Sequence, residues 1–432
     1  MTAFSEKKGH PAGLYFLFFT EMWERFSYYG MRSLLVYYMM KQLMFSQEHA
    51  SSIYGLYTGL VYFTPFFGGI LADRYLGQRK TVFLGGIIMA IGHFLMAVQS
   101  LFYPAMAFLI IGCGAFKPNI STQVGGLYEA GDPRRDRAYS IFYMGINLGA
   151  FFSPLVCGTL GEVFGWHWGF GAAGVGMLLG LAVYTLGQKH LAPDQIMLNA
   201  SRETAPEEKP LGKDEASRIC ALVILFLFTI VFWATYEQQG NTLALWADAN
   251  TNRMIFGWEM PASWFQSLNP MFIFLFIPII NVWWSSQAKR AKEPSSITKM
   301  AIGCILLGIS FLVMIPPSHT VAGGAKVNML WLGACIAILT VGEIYLSPIG
   351  LSLVTKVAPV RMVSMLMGMW FLASFLGNYL SGYLGTFWEK MPKESFFILL
   401  SALSIGAGLG ILLVNKPLKR AMTRGQEGTA DI

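Results

Sequence analysis

The 432-residue chain is 54% hydrophobic and 13% charged, with a mean hydropathy of +0.50, whereas soluble domains average about 25% charged residues. A soluble globular protein is excluded. The net charge of +7 does not indicate nucleic acid either, because the basic residues gather in loops between long apolar runs. The composition defines an all-α integral membrane protein, since runs of 18 residues or more recur along the sequence and each can cross a hydrocarbon core about 30 Å thick as helix.

Residues 1–13 are polar, and the first apolar run is too long and too charged for a cleavable leader. It reads as the first membrane helix. Apolar runs bounded by Gly, Pro or charge place six spans near 14–40, 52–72, 81–100, 103–125, 138–161 and 166–187. A polar stretch, 188–217, with Pro193, Pro206, Pro210, Glu207, Glu208 and Lys209 reads as a linker. Six more spans follow near 218–246, 264–286, 297–316, 327–351, 362–386 and 395–415. The expected organisation is therefore a first six-helix bundle over 1–187, a cytoplasmic linker over 188–217 and a second bundle over 218–432.

Lysine and arginine placement tests this layout. With both termini cytoplasmic, 23 of the 31 basic residues fall in cytoplasmic segments and five, Lys41, Arg253, Lys326, Lys390 and Lys393, in exterior loops. That asymmetry follows the positive-inside rule. Twelve helices split six and six resemble the major facilitator superfamily. In that superfamily the two halves rock about a midplane site. Residues 69–80, with Asp73, Arg74, Gly77, Arg79 and Lys80, loosely resemble its loop between helices two and three, which suggests either a simple charged turn or a role in holding the halves together.

Charge inside the spans is the main functional signal. Glu21, Glu24, Arg25 and Arg32 lie in the first span, where each would cost about 2.5–3.5 kcal/mol near a helix centre without compensation. Their spacing gives two rows at i,i+4: Glu21, Arg25, Tyr29 and Glu24, Tyr28, Arg32. Lys117, Glu237 and Glu343 are the other buried charges, so four carboxylates face three cations. One extra proton would make the set neutral.

Around these charges lie further polar and aromatic groups. Pro118 removes a backbone donor beside Lys117 and is expected to kink its helix. Trp233 and Glu237 are i,i+4 neighbours, and Asn147 and Asn269 carry amides that both donate and accept. Single amides can equally serve as helix glue. Tyr62, Trp370 and Ser374 are candidate cavity residues, although in an aromatic-rich chain such rings are often packing. Arg32 is paired by position with Glu237, and Lys117 with Glu343. Cys113, Cys157, Cys220, Cys304 and Cys335 stand singly in apolar runs and read as packing. No cofactor and no metal site is expected, and the six scattered histidines form no HExxH, with no GxSxG or P-loop elsewhere, so an enzyme is not expected.

Glu21-x-x-Glu24-Arg25-Phe26-Ser27-Tyr28-Tyr29-Gly30, Phe116-Lys117-Pro118-Asn119, Phe142-Tyr143-x-x-Ile146-Asn147-x-Gly149 and Glu237-Gln238-x-Gly240 together resemble the proton-dependent oligopeptide transporters. The resemblance implies a cell (plasma or inner) membrane symporter that imports di- and tripeptides with protons by alternating access, surrounded by lipid bilayer. It implies that Arg25, Arg32 and Lys117 face the peptide carboxylate, and Glu343, Asn147 and Asn269 the amino terminus. Tyr28, Tyr29, Tyr62, Trp233 and Trp370 would form side-chain pockets. Glu21 and Glu24, with Arg25 and Glu237, would couple protons, and Arg32–Glu237 and Lys117–Glu343 would be gate pairs. The chain departs from many bacterial members in lacking two extra helices between its halves. Remaining alternatives are a related symporter for nitrate or another small anion, whose substrate needs no acidic side, and a non-transporting peptide receptor of the same fold.

Overall fold

The computed structural model describes residues 9–129, 132, 134–194, 212–359 and 362–423. Its helical spans follow the apolar runs. We number them α1 (Ala12–Lys41), α2 (Gln47–Leu76), α3 (Gln78–Met96), α4 (Gln99–Gly126), α5 (Arg134–Phe164), α6 (Trp166–His190), α7 (Lys213–Ala249), α8 (Ala262–Lys289), α9 (Ser296–Ala322) and α10 (Met329–Val357). The last two are α11 (Val363–Gly385) and α12 (Lys393–Met422). Ten of these are long and apolar enough to cross a membrane by composition alone; α1 carries five charges, four of them in its interior, and α11 is a 23-residue helix. The protein is an all-α, multi-pass membrane protein, with twelve long helices among the described residues. Helices satisfy their own backbone groups, which lipid cannot do. Large apolar side chains such as Phe66, Ile111, Leu186, Val282 and Leu413 stand exposed on helix surfaces, where hydrocarbon would solvate them.

The described residues also include short strands between helices. β1 (Thr251–Asn252) pairs in parallel with β4 (Val327–Asn328), and β2 (Met254–Ile255) pairs antiparallel with β3 (Trp258–Glu259). Arg253 anchors this region, bonding Asp248 at 3.2 Å and Glu259 at 3.0 Å.

Two compact units comprise Met1–Met31 with Thr64–Ala200, and Arg32–Phe63 with Ser201–Ile432. In this grouping residues 32–63 fall with the later chain. In the first unit, α3 packs on α4 and α6, and Pro65–Leu71 of α2 packs on α4. Helices α1 and α5 cross at Gly149, where a Cβ would overlap the Met22 carbonyl oxygen and lie 2.9 Å from the Phe26 nitrogen. Only glycine permits that approach, which accounts for the glycine two positions after Asn147. In the second unit, α9 packs on α10 and α12, α7 on α11 and α12, and Gln47–Phe63 of α2 on α11.

The loop at 69–80 also has a structural account. A π-helical turn over Ala72–Leu76 ends at Gly77, whose φ of +80° suits glycine. Arg79 then donates to Gln188 Oε1 at 2.7 Å and to its carbonyl at 2.8 Å, while the Arg79 amide donates to Asp194 at 2.9 Å. Arg79 therefore fastens the loop to the end of α6 inside its own unit. Of the linker expected at 188–217, residues 195–211 lie outside the described residues. Among the cysteines, Cys113, Cys157, Cys304 and Cys335 are buried, whereas Cys220 is exposed, which departs from the packing role expected for it.

Candidate functional site

Helix α1 supplies the first cluster. Arg25 Nε donates to Glu21 Oε1 at 2.7 Å, the i,i+4 contact its spacing predicts, and lies 2.9 Å from Glu24 Oε2. One guanidinium is thus shared by two carboxylates. All three side chains are buried, and among the described residues Glu21 Oε2 and Glu24 Oε1 accept no hydrogen bond. Buried polar atoms usually have partners, so these oxygens mark a place built for something beyond packing. Tyr28 places its ring 5.9 Å from the Arg25 guanidinium carbon, and Tyr29 meets Tyr28 edge-on at 5.1 Å.

In the same unit, Lys117 is half-buried on α4 directly before Pro118, and the α-helix Phe102–Gly126 continues through that proline. Asn119 of this motif gives its amide to Ala115 O at 2.8 Å and Gly68 O at 3.1 Å, tying α4 to α2. Asn147 donates to Tyr143 O at 3.0 Å within α5.

The second unit holds two further clusters. Arg32 Nη2 donates to Glu237 Oε2, so the pair expected from position is in contact and buried. Glu237 opens a 3₁₀ turn, Glu237–Gly240, at which α7 tightens. The Arg32 Nε donates to Tyr54 Oη at 2.9 Å. Glu343, on α10, accepts from Tyr236 Oη at 2.7 Å and from Asn269 Nδ2 at 2.9 Å, both on Oε2. Asn269 also donates to Thr340 at 3.0 Å. Two residues in these clusters, Tyr54 and Tyr236, were not singled out by sequence; Tyr236 directly precedes Glu237, whereas Tyr54 lies near no motif.

The aromatic candidates divide. Trp233 packs edge-on with Tyr236 at 5.2 Å, and its buried Nε1 has no hydrogen-bond partner among the described residues. Tyr62 is half-buried. Trp370 is buried, with its ring against Gly350 and edge-on to Phe226 at 6.0 Å. Ser374 donates to the Trp370 carbonyl at 3.2 Å within α11. Lys117 and Glu343 belong to different units.

Buried charge pairs set in long apolar helices mark a functional membrane protein rather than a purely structural bundle. The sequence profile of the POT family matches residues 79–205 and 200–399. An uncharacterized transporter of Bacillus subtilis, YclF, is 39% identical, with 96% of this chain and 95% of that protein aligned. A di-/tripeptide transporter of Lactococcus lactis subsp. cremoris is 34% identical over 96% of this chain and 97% of its own length. The crystal structure of a peptide transporter POT in complex with sulfate superposes with a TM-score of 0.88 at 34% identity, covering 97% of each chain. The chain belongs to the POT family.

Proposed function

We propose that this protein is a proton-coupled symporter that imports di- and tripeptides across the cell (plasma or inner) membrane, with both termini cytoplasmic. The observation that carries the reading is the α1 cluster, in which buried Glu21 and Glu24 share Arg25 while, among the described residues, Glu21 Oε2 and Glu24 Oε1 accept no hydrogen bond. Across the charges inside the helices, Glu21, Glu24, Glu237 and Glu343 against Arg25, Arg32 and Lys117 leave a charge of minus one, which a single proton neutralises. A zwitterionic peptide needs a cation at one end, an acid at the other and adaptable walls between. Arg32 and Lys117 supply the first, Glu343 held by Asn269 and Tyr236 the second, and Tyr28, Tyr29, Tyr62, Trp233 and Trp370 the third. The relatives named as peptide transporters support the same substrate class. The six-and-six bundle organisation, the Lys117–Glu343 gate and an Asn147 contact with the peptide belong to this proposal.

Purified protein in liposomes should take up a labelled dipeptide faster with an inward proton gradient. Glu24→Gln should abolish that stimulation while leaving gradient-free exchange. Uptake indifferent to the gradient in the wild type would overturn proton coupling, and competition by nitrate but not by dipeptide would overturn the substrate.

A further inference from the structure

Arg32 is held from two directions in the second unit. Its Nη2 meets Glu237 on the turn that ends the first part of α7, and its Nε meets Tyr54 Oη on α2 at 2.9 Å. The Tyr54 ring lies 5.7 Å from the Arg32 guanidinium carbon, and the Tyr54 side chain is fully buried. A guanidinium is a rigid planar fork. One anchor on Nη2 leaves it free to pivot; a second anchor on Nε fixes the plane.

The two anchors differ in chemistry. Glu237 is an acid and competes with any other anion for the charge of Arg32. Tyr54 is neutral, so it holds the cation in place without consuming that charge. Gly240 completes the arrangement. A Cβ at Gly240 would overlap the Tyr54 hydroxyl oxygen and lie 3.2 Å from Arg32 Nη2, so the same Glu237–Gly240 turn that presents the acid also clears space for the phenol.

We propose that Tyr54 is a positioning residue that keeps the Arg32 guanidinium aimed when a peptide carboxylate displaces Glu237, and that Gly240 is glycine to admit the Tyr54 hydroxyl. This rests on the reading of Arg32 as a peptide-carboxylate and gate residue. Tyr54→Phe removes the Nε anchor but keeps the ring, so the KM for a labelled dipeptide should rise about tenfold, the scale of one hydrogen bond to a charged group, with the maximal rate changed less than about twofold.

A double-mutant cycle separates this from a general packing role. In an Arg32→Lys background the Nε donor is gone, and adding Tyr54→Phe should raise KM no further; dipeptide affinity measured by the thermal shift of the purified protein gives the same cycle if uptake is too slow. Gly240→Ala should raise KM as Tyr54→Phe does, and the two together should be no worse than either alone. Additive effects in both cycles would overturn the proposal. Failure of the wild type to bind any dipeptide would instead count against the peptide reading itself, so the two failures are distinguishable.

Discussion

Gly55 and Gly382 meet backbone to backbone: a Cβ on Gly55 would lie 2.5 Å from both the Cα and the amide nitrogen of Gly382. Around this point Gln47 donates to Gly385 O at 2.9 Å, Ser51 donates to Asn241 at 2.9 Å, and Gly59 lies against Phe375. Ser51, Gly55 and Gly59 recur every four residues, the spacing that lets two membrane helices approach closely. Gly55→Val should overpack this seam at a cost of about 1–3 kcal/mol, lowering the melting temperature of the detergent-solubilised protein by several degrees. An unchanged melting temperature would mean that α2 and α11 part without loss.

Arg25 and Arg32 should separate when peptide affinity is measured at acidic pH. Arg25 is occupied by two acids of its own helix, whereas Arg32 faces a single acid from another helix. Arg25→Gln is expected to bind dipeptide within about twofold of wild type, and Arg32→Gln to lose about tenfold or more, as when a buried charge pair is broken. Equal losses would place Arg25 in the peptide site as well.

Glu343→Gln should erase the preference for a free amino terminus. Competition assays with a dipeptide and its N-acetyl form should show wild type favouring the former and the variant treating both alike. Tyr236→Phe, which removes one donor to Glu343 Oε2, should weaken dipeptide binding about fivefold, the scale of a single hydrogen bond, and keep the preference.

Asp132, in the loop between α4 and α5, titrates outside the membrane. Its hydrogen bond from the Arg134 side chain is the largest influence holding the carboxyl at about 2, below its usual 3.8. A depressed folded-state value stabilises the fold above the unfolded pKa, and that contribution is lost as pH falls through about 2. Asp132→Asn should therefore lower the melting temperature slightly at pH 5 and above, with the difference vanishing near pH 2.

The twelve spans were legible because apolar length and basic-loop placement are one-dimensional signals. The α1 cluster was legible for a similar reason: Glu21 and Arg25 are i,i+4 on one helix, so local geometry fixes their contact. Tyr54 was not, since it is one of 18 tyrosines, and what distinguishes it is space left by Gly240, nearly two hundred positions away. The grouping of residues 32–63 with the later chain was also hidden, although the repeat of small residues at Ser51, Gly55 and Gly59 was a visible clue that α2 has a tight partner. Periodicity reports which face of a helix is special; it does not name the helix opposite.

The two donors to Glu343 have a further consequence. Tyr236 and Asn269 both hold Oε2, while among the described residues no hydrogen bond reaches Oε1. The carboxylate is thus oriented before any ligand arrives, with one oxygen presented. Immobilising a rotamer-rich side chain on binding costs about 0.5–1.5 kcal/mol, and in this site that ordering is completed during folding. If Glu343 holds the amino end as proposed, that recognition would depend little on what the rest of the peptide contributes, which is the thermodynamic condition for accepting many different side chains at similar affinity.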